Sequence, residues 1–85
     1  MEDALQQFED EWFTGSRGRA RSMAADYVNA HHAELGEMFG TLSIDEMVAV
    51  VTAARARGDV ETRIKADMWL LTEHPPQHIA ASGGN

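Results

Sequence analysis

Residues 43–76 read SIDEMVAVVTAARARGDVETRIKADMWLLTEHPP, and this segment predicts a pair of helices. It opens with a capping-box pattern, in which the side chains of Ser43 and Glu46 each accept a backbone N–H at the start of a helix. Apolar residues then recur at the spacing of one helix face. These residues are Ile44, Met47, Val48, Val51 and Ala54.

The middle and the end of the same segment carry the signals that separate and stop two helices. Gly58 is suited to ending a helix, and Asp59 is suited to capping the next one. Pro75-Pro76 lacks backbone N–H groups and stops the second helix. The segment therefore predicts a helical hairpin with helices at about 44–57 and 60–72. The apolar stripe of its second helix contains Val60, Ile64, Met68 and Leu71.

The first half of the chain also has helical periodicity. Leu5, Phe8 and Trp12 share one face of a predicted helix over residues 2–13. A second helix is expected over residues 19–35, and Gly36 favours a break or a kink between residues 36 and 42, since Gly destabilises a helix interior by about 1 kcal/mol relative to Ala.

The predicted fold class is therefore all-α: a small bundle of three to four helices with a C-terminal αα-hairpin at about 44–57 and 60–72. No segment alternates apolar and polar residues with the period of a strand. Residues 1–76 are expected to form a single helical domain. Residues 77–85, which end in Ser-Gly-Gly-Asn, are expected to form a flexible C-terminal tail.

Length and composition narrow the class of protein. A chain of 85 residues is expected to form one domain, and it contains no cysteine for a disulfide or a thiolate metal site. Its first residues, Met1-Glu2-Asp3, are acidic where a signal peptide would be basic and then apolar, and no apolar run approaches the roughly 20 residues of a membrane span. We therefore expect a cytoplasmic protein with no membrane association.

The balance of charge favours some partners over others. The chain has 14 acidic residues and 7 Lys or Arg residues, so its formal net charge is −7. Direct binding to nucleic acid is not expected, because such binding relies on cations that neutralise phosphates. A partner with a basic surface is the better electrostatic match.

A nucleic-acid-linked regulator is nevertheless the alternative function. The hairpin resembles a helix-turn-helix in spacing, and its turn region carries four basic side chains, namely Arg55, Arg57, Arg63 and Lys65. The recognition helix would run into Trp69-Leu70-Leu71, however, where a polar face is needed. Spaced carboxylates along the chain allow the opposite hypothesis, an acidic mimic of DNA. These are Glu9, Asp10, Glu11, Asp26, Glu34, Glu37, Asp45 and Glu46.

Two further clusters could carry chemistry. His31, His32 and Glu34 could share a helix face and bind a metal, but no second cluster supplies the remaining ligands. The basic segment Arg17–Arg21 could bind a phosphate or an acidic helix, or could pair with the nearby acids at 9–11. No phosphate loop or nucleophile motif is present. We therefore predict no enzyme activity, no cofactor and no catalytic, cofactor-binding or metal site.

Large apolar side chains exceed what one buried stripe per helix requires. Trp12 and Phe13 are adjacent and must point in different directions on a helix, and the run at 69–71 presents the same problem. Exposed aromatic residues are typical anchors of protein interfaces. The predicted partner-binding residues are Trp12, Phe13, Trp69, Leu70 and Phe39.

The chain also resembles a known group of proteins. Arg predominates over Lys, and the run Ala54-Arg55-Ala56-Arg57-Gly58-Asp59 leads to Trp69-Leu70-Leu71 and then to residues 75–79. In size and in these features it resembles small proteins of actinobacteriophages such as mycobacteriophages. The resemblance implies an accessory protein that binds a host protein, and it carries over no functional residues.

The sequence thus predicts a small acidic helical module for protein–protein interaction. Its expected partner is a protein, either a host protein or a second copy of the chain in a homodimer.

Overall fold

The computed structural model describes residues 3–74, and all of its regular elements in that range are helices. The five helices are α1 (Asp3–Thr14), α2 (Arg17–Ala30), α3 (His32–Phe39), α4 (Ile44–Ala56) and α5 (Val60–Glu73). The all-α class is confirmed, whereas the expected number of three to four helices is wrong by one. Residues 77–85, predicted as a tail, lie outside the described residues.

The C-terminal hairpin forms as the sequence predicts. The hydroxyl of Ser43 accepts the backbone N–H of Glu46 at 3.2 Å, and the Glu46 carboxylate accepts the backbone N–H of Ser43 at 2.8 Å. After α4, Gly58 adopts a φ of +73°, and the Asp59 carboxylate accepts the backbone N–H of Thr62 at 3.1 Å. The bonds between Ser43 and Glu46 fix the start of α4. The turn at Gly58 fixes the end of α4, and the cap at Asp59 fixes the start of α5.

The second predicted helix breaks at a different residue from the one expected. The helical path is interrupted at His31, whose φ of −119° and ψ of 30° are not helical and whose imidazole stacks on Tyr27 with ring centroids 4.3 Å apart. Gly36 lies inside α3, which continues to Phe39. The break at His31 is what adds the fifth helix.

Helix α5 occupies the centre of the bundle, since it contacts each of the other four helices. Its buried positions occur on more than one side, so the consecutive bulky residues of its second half pack in different directions. The main core is built around it. Its buried members are Leu5, Phe8, Ala20, Ala24, Tyr27, Val28, Leu35, Phe39, Met47, Ile64, Ala66, Met68 and Trp69.

The apolar stripe predicted for α4 is only partly internal. Met47 and Ala54 are fully buried, but Ile44 and Val48 are exposed. Helix α4 packs chiefly on α5, so it covers only the residues that face that single neighbour. Val60, at the first turn of α5, is also exposed. None of the helices within residues 3–74 is long and apolar enough to cross a membrane.

Two glycines give opposite predictions that test this backbone. Gly58→Ala is expected to lower the free energy of unfolding by about 1–2 kcal/mol, because an L-residue at positive φ is strained. Gly36→Ala is expected to raise it by roughly 0.5–1 kcal/mol, because a methyl group at Gly36 meets open space and Ala favours a helix interior.

Urea denaturation followed by circular dichroism measures both changes. A destabilising Gly36→Ala would contradict a continuous α3, and a neutral Gly58→Ala would contradict the left-handed turn residue between α4 and α5.

Candidate functional site

A cleft of about 280 Å³ lies between α1 and the α4–α5 hairpin. Its walls are largely apolar. They are formed by Phe8, Trp12 and Phe13 from α1 and by Leu70 and Leu71 from α5. The volume is near the lower limit for small-molecule pockets, and it is large enough to hold one or two side chains.

The aromatic wall follows from the helical spacing of α1. Phe8 is buried and stacks on the half-buried Trp12, with ring centroids 6.1 Å apart. The guanidinium of Arg17 lies 4.6 Å from the centroid of the Trp12 ring, so a cation–π contact holds the indole in place. Phe13 is next in sequence and points about 100° away, which leaves 65% of it exposed at the cleft.

The opposite wall comes from the last turns of α5. Trp69, Leu70 and Leu71 are consecutive, so their side chains point in three directions about 100° apart. Trp69 faces the core and contacts Phe39, whereas Leu70 and Leu71 are half-buried and line the cleft. These three consecutive residues therefore contribute both to the core and to the wall of the cleft.

An ion-pair network lies at the charged side of the cleft. Arg63 donates to both carboxylate oxygens of Glu9, at 2.7 and 3.4 Å, and it donates to Asp67 at 3.5 Å. The side chains of Arg63 and Glu9 are only 16% and 15% exposed. The hydrogen bond to Glu9 raises the pKa of Arg63. This pair joins α1 to α5 beside the cleft.

Asp67 brings a carboxyl group into the mostly apolar cleft. Burial raises its pKa above the ordinary value, although the positive charges of Arg63 and Arg55 partly oppose that rise. The cleft is thus a mainly apolar cavity that contains one incompletely compensated carboxyl group. Arg55, from α4, is exposed and also lines it.

The cleft contains three of the five residues predicted to bind a partner. Trp12, Phe13 and Leu70 line it together. Phe39 and Trp69 do not lie on the surface, because they are only 2% and 5% exposed and pack against each other in the core. Phe39 of α3 thus helps to cover α5, and Trp69 is the side chain of α5 that it covers.

Sequence reasoning missed the charged part of the cleft. Arg63 and Asp67 are four residues apart on one helix, a spacing that could have suggested their pairing. Glu9 is 54 positions from Arg63, so no local pattern signals that bond. Only the packing of α1 on α5 brings these residues together.

Several basic side chains of the turn region form ion pairs within the molecule. Lys65 is buried, with its ammonium 2.8 Å from Glu61 and 3.4 Å from Glu34. The hydrogen bond to Glu61 raises the pKa of Lys65. Arg63 is held by Glu9, and Arg57 lies 3.1 Å from Asp59, so three of the four cations of the helix-turn-helix hypothesis are paired internally.

The other candidate clusters are dispersed or paired. The His31 Nδ1 atom lies 3.9 Å from Glu34, while the His32 ring is tilted against Trp69. No group of three His, Cys, Asp or Glu residues suited to a metal ion occurs within residues 3–74. In the basic segment, Arg19 lies 3.9 Å from Glu11, which agrees with internal pairing.

Comparison with known proteins adds no relative. Neither protein-family models, nor curated proteins, nor solved structures match this chain.

The Arg63–Glu9 bond predicts a strong stability effect. Arg63→Ala is expected to lower the free energy of unfolding by roughly 2–3 kcal/mol, because it leaves the nearly buried Glu9 carboxylate without its cation. Arg19→Ala is the matched control, and its exposed pair with Glu11 is expected to matter little. Equal effects of the two substitutions in urea denaturation would contradict a structural role for the Arg63 network.

The pKa of Asp67 predicts a pH-dependent stability difference. Because the folded-state pKa is raised, the native state binds this proton more tightly than the unfolded state does. The resulting stabilisation is complete below the unfolded-state pKa and is lost as pH rises through the folded-state pKa. Asp67→Asn is therefore expected to be more stable than the wild type at pH 7.

Paired urea titrations of the two proteins between pH 3 and pH 7 measure this difference. The advantage of the Asn variant should disappear at the acidic end, where Asp67 is protonated. A variant that is less stable at pH 7 would show that the Arg63 contact outweighs burial.

Proposed function

We propose that this chain is a small protein–protein interaction module that receives a partner in the cleft between α1 and the α4–α5 hairpin. The observation that carries the proposal is the exposed Phe13 beside an apolar cavity of about 280 Å³. A large exposed ring at the rim of such a cavity is the arrangement expected of an interface anchor. The resemblance to phage accessory proteins suggests a host protein in the cytoplasm as the partner.

Self-association is the less favoured form of the same proposal. Each copy carries a formal charge of −7, so two copies repel one another at low ionic strength. A partner with positive charge avoids that repulsion.

The nucleic-acid alternative receives less support from the contacts. A DNA reader needs basic side chains that are free to reach phosphates, and Arg63 and Lys65 are instead bound to carboxylates. An acidic DNA mimic remains compatible with the net charge, but it gives no role to the apolar cleft.

Two matched substitutions test the proposed interface. Phe13→Glu places a carboxylate at the cleft, and Val48→Glu places one on the outer face of α4, where Val48 is 52% exposed. Tagged wild type and both variants are purified from the source cells, and the copurified proteins are quantified by mass spectrometry. The specific partner should fall at least tenfold with Phe13→Glu and persist with Val48→Glu.

The opposite pattern, in which only Val48→Glu releases the partner, would place the interface on α4 and contradict the cleft. A wild type that captures no protein above a tag-only control would contradict the interaction function itself.

A further inference from the structure

We propose that the segment bound in the cleft is a basic amphipathic helix of the partner protein, which packs apolar side chains against Phe13, Leu70 and Leu71 and directs one Lys or Arg to Asp67. The inference rests on the proposed function, because it specifies the chemistry of the partner at the same cleft. It goes further by naming the secondary structure, the sign of the charge and the receiving residue.

The helical form of the bound segment follows from the kind of groups that line the cleft. The cleft is lined by side chains of α1, α4 and α5, whose interior backbone groups are already bonded within their own helices. The lining comes from helices and not from a strand edge, so an extended peptide would find no backbone hydrogen-bond partners there. A helix satisfies its own backbone and presents only side chains to a groove between helices.

The proposed positive charge of the bound helix follows from the way in which Arg63 divides its contacts between Glu9 and Asp67. Its two contacts with Glu9 include the short bond of 2.7 Å, whereas Asp67 receives a single contact at 3.5 Å. An ionised carboxylate can accept about four hydrogen bonds. Asp67 therefore has accepting capacity that an ammonium or guanidinium group of the occupant can use, at the edge of an apolar surface suited to its methylene stem.

Arg55 opposes the binding of a cation at Asp67. It lines the cleft, and its positive charge already acts on Asp67, where it opposes the rise in the pKa of that carboxyl group. Its charge therefore competes with an incoming cation for Asp67. Removing Arg55 is expected to strengthen the binding of a basic helix, whereas removing the charge of Asp67 is expected to weaken it.

The charge of the whole chain acts in the same direction as Asp67. With 14 acidic and 7 basic residues, the protein attracts a cationic segment from a distance and repels an acidic one. This long-range attraction is diffuse and cannot by itself identify the cleft, so the test must separate it from the local contact.

Designed peptides serve as the probe. An 18-residue helix with Leu on one face and Lys on the other is compared with its Glu counterpart and with a scrambled Leu/Lys sequence that has no apolar face. None of them contains Trp or Tyr, so the fluorescence of the protein's own Trp12 and Trp69 reports binding, and a Trp69→Phe background isolates the signal of Trp12 at the cleft. We expect the Lys helix to bind at least tenfold more tightly than either of the other two at 0.15 M salt.

Three single variants locate the contact. Asp67→Asn is expected to weaken the binding of the Lys helix about tenfold, because it removes one charge-assisted hydrogen bond. Asp26→Asn removes the same charge from the exposed surface of α2 and is expected to change affinity less than about twofold at this salt concentration. Arg55→Ala is expected to increase the affinity.

Several results would overturn the inference. Equal effects of Asp67→Asn and Asp26→Asn would show diffuse attraction without a local contact. An acidic helix that binds as tightly as the basic one, with binding lost in Phe13→Glu, would overturn the charge assignment and leave the cleft as the interface. A wild-type chain that sediments as a dimer and binds no peptide would assign the cleft to a second copy.

Failure of the peptides to bind a monomeric wild type would also overturn the basic-helix inference. The proposed function would then be judged separately, by whether Phe13→Glu loses a partner in the purification from cells.

Discussion

The burial of α5 is the constraint on which the rest of the structure depends. This helix contacts all four others, and its side chains are buried on more than one side, from Ile64 to Trp69. A helix that is apolar around much of its circumference must be covered in several directions. Helices α1 to α4 provide that cover, and the fold is arranged around this requirement.

The cleft exists because the cover is incomplete at one end of α5. Helix α1 packs on α2 and reaches α5, where the Arg63–Glu9 ion pair and Phe8 hold it. Beyond that point Leu70 and Leu71 are only half-buried, and the exposed Phe13 lines the cleft beside them. Arg63 holds α1 through its short bond to Glu9, and it therefore makes only one contact of 3.5 Å with Asp67. The way in which α1 packs on α5 thus determines both the apolar and the charged residues of the cleft.

The charges near the hairpin are largely compensated within the molecule. Arg57, Arg63 and Lys65 each form an ion pair with a carboxylate, whereas Arg55 is exposed at the cleft. The chain as a whole has 14 acidic residues and 7 Lys or Arg residues, so its formal net charge is −7. The proposed preference for a basic partner rests on this surplus of acidic charge.

The sequence by itself determined the helical class, the capping box at Ser43, the turn at Gly58 and the cap at Asp59, because each depends on bonds within a few residues. It also indicated Trp12, Phe13 and Leu70 as surplus apolar residues. Only the tertiary structure decided that Trp69 and Phe39 fill the core, that the break falls at His31, and that Glu9 meets Arg63. These outcomes depend on which helix faces cover α5, and residues distant in sequence carry no local signal of that packing.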